Sequence, residues 1–139
     1  MWAIFTSESY NKPGRSSYPM NEGVIGKAWD TGEFETSEFP DWADSADKYI
    51  SICHDKFGMK AKSTRKLAMH PRYMYARRIG NADGREYKSI IVIESNSCDF
   101  SHKNEIKRVV DSHQSGLFEF ARDFHSIMPA VSRAKEMGL

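Results

Sequence analysis

The run Ser89-Ile90-Ile91-Val92-Ile93-Glu94-Ser95 constrains this chain more than any other feature. Its centre is apolar without interruption and built from β-branched residues, which favours a strand over a helix. A strand with no polar alternation needs cover on both faces. The run therefore predicts a central strand with structure layered on either side. Just upstream, Asn81-Ala82-Asp83-Gly84 is a hairpin-turn signal. Leu67 to Ile79 reads as the partner strand, confined to one side of Pro71 because proline donates nothing to a ladder.

The rest of the chain supplies the layers. Trp2 to Ser7 and Arg15 to Tyr18 read as strands around the turn Asn11-Lys12-Pro13-Gly14. Val24, Ile25, Ala28 and Trp29 recur at helical spacing behind a cap at Asn21, and Gly32 fits the position just past the helix end. Glu33 to Phe39 is a short strand closed by Pro40. Asp41 caps a second helix whose apolar stripe is Trp42, Ala46, Tyr49, Ile50, Cys53 and Phe57, and Gly58 stops it. Lys60 to Lys66 reads as a polar, basic loop. Ser101 or Asp99 caps a last helix from about His102 to Met128, with a seam of Ile106, Val110, His113, Leu117, Phe120, Phe124 and Ile127 at alternating steps of four and three. Pro129 ends it or kinks it. The plan is an α+β domain over residues 1–139: sheet and crossing helices to residue 100, a long helix over 101–128 and a tail over 129–139.

Composition narrows the function. A net charge of +1 argues against a general nucleic-acid binder. No apolar run approaches the roughly 20 residues of a membrane span, and no basic-then-apolar leader opens the chain. The expectation is a cytoplasmic chain, either free or part of a larger protein. Cys53 and Cys98 fall in no metal or disulfide motif, so a reduced compartment and a structural role are expected of them. Charge is segregated along the chain. Asp30, Glu33, Glu35, Glu38, Asp41, Asp44 and Asp47 form a segment without Lys or Arg, whereas Lys56, Lys60, Lys62, Arg65, Lys66, Arg72, Arg77 and Arg78 form one without acids. Either the two segments screen each other or the basic one faces an anionic ligand.

Two blocks resemble the GAF family of sensory domains. NEGVIGKAWDTGE, from Asn21, is similar to a glycine-bracketed helix start leading into a strand. ARRIGNADGREYKSIIVIESNSCDFS is similar to the family's closing strand, turn, strand and Phe-Ser opening of the last helix. The resemblance covers about Glu22 to Met128. It implies a GAF-like antiparallel sheet of the six-strand class flanked by helices. Only 21 residues precede Glu22, fewer than the family uses, so the expectation is either a fragment of a longer protein or a shortened variant. The family's Asn-Lys-Phe-Asp-Glu pattern for cyclic nucleotides is absent, and cyclic GMP recognition does not carry over.

The resemblance further implies a pocket between the sheet and its crossing helices. Candidate lining residues are Trp29, Phe39, Trp42, Tyr49, Ile52, Tyr73 and Tyr75, whose rings stack on planar groups or simply pack as core. Arg72 and Arg77 are candidates to hold a phosphate or carboxylate in a bidentate fork. Tyr73, Tyr75 and Arg77 share one strand face. No catalytic motif, metal site or cofactor is expected. The expectation is a non-catalytic sensor for a small anion of the nucleotide or cyclic-nucleotide class, a homodimer through its terminal helix. The alternatives are a ligand-free dimerisation or protein-interaction module and a redox enzyme using Cys53 or Cys98.

Overall fold

The computed structural model describes residue 19, residues 21–81 and residues 83–123. The expected strands at Trp2–Ser7 and Arg15–Tyr18, the turn between them, and the last helix beyond residue 123 lie outside the described residues. Two compact units are present. One includes the described residues up to Arg77 and those from Ile90 to Ser101; the other holds the described residues of 78–89 and those from His102 to Asp123.

The first unit carries α1 (Gly23–Thr31), β1 (Glu33–Thr36), α2 (Trp42–Phe57) and α3 (Ala61–Thr64). It also holds most of β2 (Tyr73–Gly80) and of β3 (Tyr87–Ser95). α1 starts and ends on backbone that only glycine adopts readily: Gly23 has φ 74° and Gly32 has φ 92°. Glu22, one residue past the expected Asn21, takes the cap position without a side-chain bond. At α2 the Asp41 carboxylate accepts from the Ala43 N–H at 2.9 Å, and Gly58 closes the far end at φ 63°. Within α2, Ser45 leaves helical geometry (φ −152°, ψ 58°), so the first turn and the remainder are two helical pieces. The segment expected as a loop at Lys60–Lys66 instead contains α3, which ends on the fully buried Thr64.

The sheet order is β1-β2-β3. β1 pairs antiparallel with β2, with Glu33 opposite Arg77, Phe34 opposite Ala76 and Glu35 opposite Tyr75. Alternation along the strands then fixes two faces. Phe34, Met74 and Ala76 face the helices, where Val24, Ala28, Phe39, Tyr49, Cys53 and Phe57 form the core, joined by Ile90 and Val92 of β3. Phe39 stacks on Phe57 at 5.5 Å and meets Tyr49 at 4.7 Å, while Phe34 meets Phe57 edge-on at 5.8 Å. Each such pair contributes about 0.5–1.5 kcal/mol beyond the area it buries. Glu33, Glu35, Tyr73, Tyr75 and Arg77 occupy the other face. The described part of the chain is thus mixed α+β with a three-stranded sheet.

The second unit holds the hairpin tip and α4 (Lys103–Ser112). At the tip the Asn81 side-chain oxygen accepts from the N–H groups of Arg85 and Glu86 at 3.0 and 3.2 Å. His102, not Ser101 or Asp99, sits at the α4 cap and makes no capping bond. The expected unbroken helix stops at His113 and resumes over 114–123. The break turns the seam: Val110 is buried, but so is Phe118, one place beyond the expected Leu117, while Phe120 is 60 % exposed.

Candidate functional site

The segment before β2 is held by one bond from α2 and one to α3. The Tyr49 hydroxyl donates to the Pro71 carbonyl at 3.0 Å, and His70 Nε2 lies 3.0 Å from the Thr64 carbonyl. A carbonyl only accepts, so that nitrogen carries the proton. The His70 ring stacks on Trp42 at 3.7 Å and 16°, and Tyr49 meets both rings edge-on at 5.4 and 5.6 Å. Burial holds the His70 pKa below the usual value, with the Thr64 bond opposing it in part. Burial likewise raises the Tyr49 hydroxyl far above the ordinary tyrosine range, so it stays a neutral donor.

These contacts build one wall of an open cleft of about 330 Å³, lined by Asp41, Trp42, Met69, His70, Arg72 and Asn96 among others. Arg72 is placed by its own backbone, whose N–H donates to the Ser95 carbonyl at 2.9 Å. Its guanidinium approaches Asp41 only to 3.9 Å, too far for a hydrogen bond. Its Nε is buried and has no partner among the described residues.

Arg77 is situated differently. Its Nη1 donates to Glu33 Oε2 at 2.8 Å, and the Tyr75 hydroxyl donates to the same oxygen at 3.3 Å. Nearby, Tyr73 packs on Phe100 at 5.3 Å. Burial and the Glu35 carboxylate push its hydroxyl up to about 12. The acidic and basic segments therefore do meet. Glu33 pairs with Arg77 and Glu38 with Lys56, and Asp47 comes within 4.0 Å of Arg65. Three of the eight basic residues of that segment, Lys56, Arg65 and Arg77, are engaged in these pairs.

Of the residues expected to line a pocket, Trp42 and Arg72 lie together at the cleft. Phe39 and Tyr49 are core, and Ile52 packs against that core. Trp29 is half-buried on α1, outside the cleft lining. Tyr73 and Tyr75 are 2 % and 1 % exposed on the opposite sheet face, and Arg77 is engaged with Glu33. Sequence reasoning did not select His70, Met69 or Asn96. The signal available for His70 was its place directly before Pro71, which forces extended backbone at the strand entrance.

Two other groupings bear on chemistry. On α2, Ser51 Oγ donates to Asp55 at 2.9 Å and His54 Nδ1 lies 2.9 Å from the same carboxylate. The hydroxyl thus addresses the carboxylate and not the imidazole that a nucleophile needs as its base. Cys53 is buried, and burial pushes its thiol up to about 11, away from the reactive range. Among the described residues no cluster of three His, Cys, Asp or Glu side chains is set to hold a metal, and no helix is long and apolar enough to cross a membrane. Comparison with protein-family models, with curated proteins and with solved structures returns no match.

Proposed function

We propose that this chain is a non-catalytic, cytoplasmic sensory domain of GAF-like type that binds a small anionic ligand in the Trp42–His70–Arg72 cleft and signals through its terminal helix. The observation that carries the reading is Arg72: a guanidinium in a ring-walled cleft, with a buried Nε and only a long contact to Asp41. A charged group set in this way costs desolvation without a full return, which an oxyanion would supply. The α+β order supports the family reading only in its coarse form. The test is a thermal-shift screen with inorganic anions, small carboxylates, nucleotides and cyclic nucleotides. A ligand at about a hundred times its dissociation constant adds about 2.7 kcal/mol, several degrees for a domain of this size. The shift should vanish in Arg72→Ala and survive in Arg77→Ala. The reverse pattern, or no shift with any compound, would reject the site.

A second reading is a homodimerisation or interaction module. It is favoured by Val109 and Phe120, which are 52 % and 60 % exposed in the helical part of the second unit. Light scattering at high micromolar concentration decides it. A dimer lost in Val109→Asp supports this reading, and a monomer removes it.

A further inference from the structure

We infer that Asp41 is the cleft's built-in counter-ion, and that the ligand is a compact oxyanion bearing its own proton donor, a hydrogen phosphate or hydroxycarboxylate group, which displaces Asp41 from Arg72. This rests on the cleft being the ligand site. Three observations carry it. The first is size: about 330 Å³ stands at the bottom of the range of small-molecule sites, roughly 300–1,000 Å³, which favours a compact anion over a nucleotide.

The second is the state of Asp41. One of its oxygens caps α2 through the Ala43 N–H at 2.9 Å, and the other stands 3.9 Å from Arg72. The carboxylate is anchored by the helix and cannot close on the guanidinium at hydrogen-bond distance while it stays there. An arriving oxyanion has no such tie and can take the arginine in a two-point fork. Asp41 then acts as a competitor that sets the affinity, while its capping bond remains.

The third is His70. With its proton on Nε2 toward Thr64, the neutral ring leaves Nδ1 as an acceptor, and no partner for it is present among the described residues. Asn96 adds an amide to the cleft lining. The cleft therefore pairs a fork of donors with an acceptor. Hydrogen phosphate and hydroxycarboxylates carry both complements, and sulfate and acetate carry only the negative oxygens.

Calorimetric titration of the full chain at neutral pH tests this with inorganic phosphate, glycolate, sulfate, acetate and a nucleoside monophosphate. Phosphate or glycolate should bind about fivefold more tightly than sulfate or acetate, the worth of one added hydrogen bond. Which of the two binds distinguishes a phosphate from a hydroxycarboxylate ligand. Asp41→Asn keeps a good helix cap and removes the competing charge, so it should tighten oxyanion binding about fivefold. Weaker binding in Asp41→Asn, equal binding of sulfate and phosphate, or binding of the nucleotide alone would overturn the inference while leaving the cleft as a ligand site. If no anion binds wild type or Asp41→Asn, both fall.

Discussion

Arg72 and Arg77 lie five positions apart on one stretch of chain, and their surroundings differ in kind. Arg77 faces a carboxylate that the register of β1 against β2 places directly opposite, and a tyrosine hydroxyl converges on the same oxygen. Arg72 faces a carboxylate already engaged by a helix end, and the gap between them stays at 3.9 Å. Sheet pairing delivers partners at fixed spacing and so completes ion pairs. The junction of a helix cap and a strand entrance has no such rule, and a charged group can be left only partly satisfied there. The contrast separates an arginine paired within the sheet from one left with only a long contact to Asp41.

The largest expected effect concerns what stands behind Arg72. Tyr49→Ala removes the ring beneath Trp42 and His70 and the bond to Pro71, and should cost about 3–5 kcal/mol in urea unfolding. Tyr49→Phe removes only the hydroxyl and should cost about 1 kcal/mol. Equal losses in the two variants would show that the ring is not the support. Next in size, Arg77→Met should destabilise by about 1 kcal/mol, a value reduced for the exposure of Glu33, and Arg72→Met by less than that. A greater loss at Arg72 would invert the comparison.

A smaller effect follows from His70. Its folded pKa lies below the ordinary 6.5, so between those values the unfolded chain binds more protons. Stability conferred by the neutral ring is full above 6.5 and is lost as the pH falls through the lowered folded value. Denaturation midpoints at stepwise pH should show this acid loss in wild type and a smaller one in His70→Phe. An unchanged slope would place the titration elsewhere. The last prediction leaves stability untouched: native protein should label quickly at the exposed Cys98, and Cys53 should label only after unfolding. Rapid labelling of both thiols would mean that the α2 core opens readily.

Much of the first unit was legible in the sequence because its elements are punctuated. Asp41 and Gly58 bracket α2, Gly32 ends α1, and Pro71 delays β2 to Tyr73. α3 was not legible, because the four residues Ala61–Thr64 are too few to show a period; their place depends on the burial of Thr64 and on contact with α2. The break at His113 was hidden by a heptad pattern that runs straight through it. There the Ser112 hydroxyl donates to the Val109 carbonyl at 3.0 Å and His113 Nδ1 lies 2.9 Å from the same oxygen, so local side chains crowd a backbone acceptor. At the site, residue type was readable and commitment was not. Period-two spacing put Tyr73, Tyr75 and Arg77 on one face, but it carried no information on depth or on Glu33 opposite. The Trp42–His70 stack joins residues whose spacing in the chain announces nothing.

The departure from helical geometry at Ser45 gives α2 two clocks. The piece from Ala46 to Phe57 is tied to the core through Tyr49, Cys53 and Phe57, and its amides should exchange with solvent only on large-scale opening. The leading turn is capped by the Asp41 carboxylate and holds Trp42, which stacks on His70 and packs only half-buried at the edge of the core beside Tyr49, so its amides should exchange sooner. Occupancy of the neighbouring cleft would then register as a slowing confined to the residues ahead of Ser45, a built-in reporter read by deuterium uptake.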